Sequence, residues 1–176
     1  SIFIMPASIQ TSQFIADWIE SPFGHIDGDP WTITQNAASL IKDALERLGD
    51  DYRRTGDVSV HHTTVVEPGA VLKGPSIIGP NCFVAAGGYL RGGTYLASNC
   101  IVGPSCELKT SFMFPGSKIA HFNFVGDSIL GSDVNVEAGA IIANYRNELA
   151  DKQIRILFDG APIYTGAEKF GALVAD

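Results

Sequence analysis

Three cations recur at a fixed interval: Lys109 follows Arg91 by as many places as Arg91 follows Lys73. Stacked side by side they would hold an anion such as a phosphate, Arg by a two-pronged contact and Lys as a point charge. Without such a ligand they would repel one another, because like charges on neighbouring strands destabilise a sheet. The alternative is a solvated ladder neutralised by acidic neighbours. A second candidate is His121, in the run Ala120-His121-Phe122-Asn123-Phe124-Val125-Gly126-Asp127. A neutral imidazole can accept a proton from an amine at ordinary pH, which suits it to general-base work. By position alone, a single histidine is more often a structural or surface residue.

What must position these groups is a repeat. Stepping by six from Val60 gives Val66, Leu72, Ile78, Val84, Leu90, Leu96, Val102, Leu108 and Phe114. In a chain that is 45% hydrophobic, ten such hits would arise about three times in ten thousand. The residues four places on, Thr64, Ala70, Ser76, Cys82, Gly88, Thr94, Cys100 and Cys106, are all small. One large inward residue and one small corner residue per six describe one side of a triangular coil. Pairs such as Pro68-Gly69, Pro80-Asn81, Gly92-Gly93 and Ser98-Asn99 turn the corners. Three such sides close one circuit, and successive circuits stack about 4.8 Å apart. The cations are spaced by one full circuit, so all three should share one face. The phase is lost around residues 120–127 and returns shifted at Leu130, Val136 and Ile142, which predicts a loop projecting there and carrying His121.

The fold class expected is mainly β, a left-handed parallel β-helix of hexapeptide repeats with an N-terminal helical arm and an inserted hairpin. Residues 1–57 lie outside the period and form the arm. Thr11 and Ser12 are placed to cap a helix over 13–20, and Ala37, Leu40, Ile41, Ala44, Leu45 and Leu48 stripe a second helix ending at Gly49. Residues 58–176 form the coil, interrupted by an insert at 146–168 in which two strands flank Asp159-Gly160.

Composition narrows the function. A net charge of −7 and a pI near 4.9 argue against general affinity for nucleic acid or anionic membrane. No apolar run is long enough to span a bilayer and no signal peptide is evident, so a cytoplasmic location is expected. Cys82, Cys100 and Cys106 fall at small corner positions and read as structural hydrophobes. No metal is expected, because the adjacent His61 and His62 would point to opposite faces of a strand.

From Leu90 to Tyr145 the sequence resembles the acetyltransferase half of the bifunctional enzymes that acetylate glucosamine 1-phosphate and couple the product to a nucleotide, and the related archaeal sugar-1-phosphate nucleotidylyltransferases. The segments that carry the resemblance are 120–127, Asp133-Val134-Asn135-Val136-Glu137-Ala138-Gly139-Ala140 and Ala143-Asn144-Tyr145, with Lys169-Phe170-Gly171-Ala172 beyond the insert. The resemblance implies an N-acetyltransferase acting on an amino-sugar 1-phosphate, with acetyl-CoA as co-substrate and a homotrimer sharing its active sites. It implies that His121 is the catalytic base and that Arg91, Lys109 and Lys169 bind the sugar phosphate. Asn135 matches a sugar-contacting asparagine, and Asn144 and Tyr145 match positions near the thioester, Asn144 also in a catalytic role. Phe124 stands at a sugar-binding position where the family usually has tyrosine. Residues 1–57 hold no Gly-rich pyrophosphorylase loop, and the insert resembles the archaeal type. The alternative reading is a noncatalytic module that binds a sugar nucleotide or trimerises a nucleotidylyltransferase system.

Overall fold

The computed structural model describes residues 8–176. Its body is a parallel β-solenoid of about five turns, a left-handed β-helix of triangular section. One side of the prism is a sheet of five two-residue strands, Val65–Val66, Phe83–Val84, Ile101–Val102, Lys118–Ile119 and Asn135–Val136, all paired in parallel. The other two sides are continuous at Tyr89–Leu96 and Glu107–Met113, which bend around a shared corner. We call the first part of these strands, through Arg91 and Lys109, the cation wall, and the second part, through Leu96 and Met113, the covered wall.

The interior is the column expected from the repeat. Ile78, Val84, Leu90, Leu96, Val102 and Leu108 are fully buried against one another, with Cys82, Cys100 and Cys106 among them as free thiols. The corners explain the turn residues, because the chain there needs a positive φ. At one corner this falls on Gly69, Gly87, Ser105, Phe122 and Gly139, at the second on Asn81, Asn99, Gly116 and Asp133, and at the third on Gly92, Gly93, Thr110 and Asp127.

Two details of the repeat differ from the sequence reading. Phe114 lies outside the prism, and Met113 takes the inward position. The step between inward residues shortens by one place between Leu108 and Met113 because a single residue, Thr110, faces the two glycines 92 and 93 of the coil before it. The change of phase therefore occurs at this corner, and no loop projects at 120–127. Phe124–Gly126 is a strand, paired to Glu107–Lys109 on one side and to Ile141–Ile142 on the other. Tyr89 pairs with Glu107 across a full circuit, whereas Glu107 pairs with Phe124, and Phe124 with Ile141, across a circuit one residue shorter. The real interruption comes after Ile142. Leu173–Val174 pairs with Ile129–Leu130, and Ala172 N–H reaches Ser128 Oγ from beyond the insert. The intervening chain carries the antiparallel hairpin Arg155–Phe158 and Ala161–Tyr164.

The arm covers one wall. Outward-facing Ile77, Tyr95, Phe112 and Ile129 are buried beneath Ile15, Trp18, Phe23, Ile33 and Ile41 of residues 8–48. Phe23 meets Tyr95 and Phe112 edge to face, with ring centroids 4.9 and 5.1 Å apart, the arrangement the aromatic quadrupole favours. Helix α1 (Pro30–Gln35) starts on a proline, and α2 (Ala37–Leu45) follows it and ends short of the expected Gly49. The expected helix over 13–20 is instead two single 3-10 turns, Thr11–Gln13 and Ala16–Trp18. Thr11 Oγ1 donates to the Gly28 carbonyl at 2.8 Å and Ser12 Oγ bonds Asp27, so neither side chain caps a helix. The chain then doubles back so closely that a Cβ at Gly24 would overlap the Ile19 carbonyl. Tyr52–Thr55, strand β1, pairs antiparallel with Val58–His61, strand β2, and so leads the arm into the coil.

Candidate functional site

The cations predicted to stack do so. Val71 and Leu72 pair with Tyr89 and Leu90, and the Lys73 N–H donates to the Leu90 carbonyl, which sets Lys73 over Arg91. Arg91 in turn pairs with Lys109. Their repulsion is relieved from outside the ladder. Lys73 Nζ and the Arg91 guanidinium lie 5.2 and 5.8 Å from the Tyr89 ring centroid. Arg91 Nε donates to Glu107 at 2.7 Å, and Lys109 Nζ to Asp127 at 3.0 Å. The second pair is well shielded, with Lys109 and Asp127 side chains only 18% and 6% exposed. Acidic neighbours thus balance the two lower cations.

Arg91, Lys109 and Phe124 form the floor of a groove of about 450 Å³. Its far side is built where the chain leaves the coil, at Asn144 and Tyr145, and where it returns, at Glu168 and Lys169. These ends are tied down by backbone. Phe170 N–H donates to the Asn144 carbonyl at 3.1 Å, and Gly171 N–H to the Asp127 carbonyl at 2.9 Å. The Asn144 amide donates to the Asp127 carboxylate, so one carboxylate orients both a cation and an amide. Lys169 Nζ lies 5.6 Å from the Tyr145 ring centroid. Toward the arm the groove adjoins a hollow of about 520 Å³ that shares Lys109, Glu168 and Lys169 and adds Thr34, Gln35 and Ala38. A Cβ at Gly93 would meet the Ala38 backbone at 2.8 Å, so glycine allows the helix to approach this closely.

His121 and Asn135 lie outside that lining. His121 is exposed at the corner that opens the cation wall, immediately before Phe122 in its positive-φ position. Its backbone is fixed on both sides: its N–H donates to Asn123 Oδ1 at 3.0 Å and its carbonyl accepts from Gly139 N–H at 2.9 Å. Asn123 is itself buried and anchored to the Glu137 and Ala140 carbonyls. Asn135 stands on the five-stranded side beside Lys118 and donates to Glu137 at 2.5 Å. The structure thus gathers Arg91, Lys109, Phe124, Asn144, Tyr145 and Lys169, and places His121 shortly before Phe124 at the edge of the same wall.

Sequence reasoning gave no role to Asp127, Glu107, Glu168 or the arm residues Thr34 and Gln35. Asp127 had a signal, since it follows Lys109 by the same interval that separates Lys109 from Arg91. The arm residues had none, because no period links them to the coil. One expectation about histidines is overturned: the His61 and His62 rings stack on the same side, 4.4 Å apart. His62 lies beyond the last residue of β2, where alternation no longer applies.

No family profile matches the chain. Among curated proteins, the bifunctional sugar-1-phosphate nucleotidylyltransferase/acetyltransferase of Sulfurisphaera tokodaii is 30% identical over 168 residues, covering 94% of this chain and 41% of that protein. The bifunctional protein GlmU of Methanococcus vannielii is 31% identical over 153 residues, covering 85% and 36%. GlmU of Desulfitobacterium hafniense is 44% identical over 116 residues, covering 66% and 24%. The chain spans about two fifths or less of the length of these relatives.

Proposed function

We propose, for a chain homologous over most of its length to the C-terminal acetyltransferase half of the bifunctional sugar-1-phosphate nucleotidylyltransferase/acetyltransferases, that it moves an acetyl group from acetyl-CoA to the amine of a hexosamine 1-phosphate. The observation that carries this reading is the convergence of three cations, Arg91, Lys109 and Lys169, with Asn144 and Tyr145 in one groove of a protein whose net charge is −7. A phosphate in that groove takes over the hydrogen bonds now made to Glu107 and Asp127, and Lys169 and Arg91 grip it from two sides.

His121 acts as the general base. It removes a proton from the neutral sugar amine as nitrogen attacks the thioester carbonyl carbon. The tetrahedral intermediate collapses with cleavage of the C–S bond, and the CoA thiolate collects the proton held by the imidazolium. Asn144, its amide oriented by Asp127, donates to the carbonyl oxygen as negative charge develops there. Asn135 contacts the sugar. Because His121 and Asn135 stand outside the groove lining of their own chain, the site is read as completed between copies in a trimer. Phe122 and Ile141, each 68% exposed near His121, support an association at this corner.

The test is CoA-thiol release with glucosamine 1-phosphate and acetyl-CoA. Wild type should turn over, and His121→Ala should lose roughly a hundred- to ten-thousand-fold in kcat without a change in circular dichroism. A second reading, a noncatalytic sugar-nucleotide or trimerisation module, is favoured by Phe124, which offers no hydroxyl, and by the ion pairs already satisfying Arg91 and Lys109. It predicts no thiol release by wild type while a sugar nucleotide still binds.

A further inference from the structure

We propose that Asp51, His61 and His62 form a site for a divalent transition-metal ion of the zinc class at the junction of arm and coil. One ligand atom from each residue lies within 4.8 Å of the other two, and this is the one grouping of three or more such residues found among the described residues. It shares no residue with the groove, and it stands whether or not the acyl-transfer reading does.

The backbone presets the three side chains. In the β1–β2 pair Tyr52 faces His61, which brings Asp51 opposite His62, and the His62 N–H donates to the Asp51 carbonyl at 2.9 Å. Because His62 has left the strand, its ring turns to the side of His61, and the two stack at an interplanar angle of 30°. Tyr52 closes the other edge of His61, at 5.0 Å between centroids. Asp51 Oδ1 lies 3.7 Å from His62 Nδ1. Ligand bonds of about 2.0–2.2 Å place the donor atoms of a tetrahedral site roughly 3.3 Å apart, so closure asks only for small rotations of the exposed Asp51 and His62 side chains toward the half-buried His61. His61 Nδ1 accepts from the Thr63 N–H at 3.2 Å and lies 2.8 Å from Thr63 Oγ1, so coordination through Nε2 requires that nitrogen to give up its proton. The usual outer-shell arrangement at metal centres fits His62, whose Nδ1 lies 3.1 Å from the Asp51 carbonyl and, donating to it, leaves Nε2 for the ion.

The donor set indicates the kind of ion. Two imidazoles and one carboxylate suit zinc, nickel or copper, whereas magnesium and calcium prefer all-oxygen sets. Three protein ligands leave a fourth position for water or a donor from outside the chain. The ion would fasten Asp51, at the end of the arm, to His61 and His62, where the coil begins.

The experiment is calorimetric titration of the chelator-treated full chain with zinc chloride, paired with proton NMR of the imidazole resonances. Expected are one ion per chain, at least tenfold weaker binding in His62→Ala and in Asp51→Asn, and unchanged binding in His25→Ala. In the wild type, zinc should shift the signals of His61 and His62 and leave those of His25 and His121 in place. The melting temperature should rise with zinc in the wild type and not in His61→Ala/His62→Ala, in line with mass action on the native state. Absence of stoichiometric binding overturns the site, as does binding that survives the double substitution. The NMR arm needs no variant: zinc shifts spread over all four histidines, or missing from His61 and His62, refute it equally.

Discussion

Asp127 holds the groove together. It occupies a corner at positive φ, its carbonyl accepts from Gly171, and its carboxylate accepts from Lys109 and Asn144. Asp127→Ala would leave a largely buried ammonium and an amide without partners, which should cost about 2–3 kcal/mol. A lower urea midpoint at unchanged m-value is the expected record. The buried thiols give a second residue-scale expectation. The Cys100 thiol is pushed far up by its neighbour Cys82 and by burial, and Cys106 is raised by burial. Burial also raises the Tyr95 phenol far above its ordinary value. Groups whose pKa is raised on folding stabilise the native state fully below their unfolded pKa and lose that contribution as pH climbs toward the folded one. The melting temperature should therefore hold steady from neutrality to about pH 8.5 and fall above it, and Cys100 should resist thiol reagents until the protein unfolds. Arg91 and Lys109 could be read from spacing alone. Asp127 continues that spacing, but the coil drops one residue there and pairs Lys109 with Gly126, so its ion pair with Lys109 is decided by the corner and not by the period.

Among the elements, the coil and the arm differ in how they are encoded. Each coil strand carries its inward residue at a local, repeating position, so Leu90 or Val102 can be assigned without knowing its neighbours. The arm has no such period. Trp18 and Phe23 are buried because the covered wall presents Tyr95, Phe112 and Phe114 to them, and these residues are far away in sequence. The tight returns this requires, through Gly24, break the helix that Thr11 and Ser12 announce. Phe23→Ala removes a fully buried ring from this interface and should cost about 3–5 kcal/mol. Near-UV circular dichroism should weaken with it, while the far-UV spectrum of the coil persists.

For the whole molecule, the exposed corner matters most. Phe122 takes a backbone conformation that its neighbours in the same column meet with Gly69, Gly87, Ser105 and Gly139, and a positive φ costs a bulky residue about 1–2 kcal/mol. It also leaves its ring largely in solvent, as is Ile141, which pairs with Phe124 two residues on. If that ring docks against another copy, as the trimeric reading holds, Phe122→Asp should convert the protein from three chains to one in light scattering. Activity should fall with assembly, while the melting temperature of the single chain stays close to that of the dissociated wild type. A trimer that survives Phe122→Asp would remove this corner from the interface.

The β-helix, its inward column as far as Leu108, its corner residues and the alignment of Arg91 with Lys109 are all legible in the amino-acid sequence. All of these follow from a short period that each turn satisfies with its own residues. The tertiary structure alone decided where the chain drops a residue from its circuit, how residues 8–48 fold onto one wall, and which carboxylates face the cations. It also turned His61 and His62 to the same side. These outcomes depend on contacts between segments with no common period, where packing and hydrogen bonding at a distance outweigh local preference.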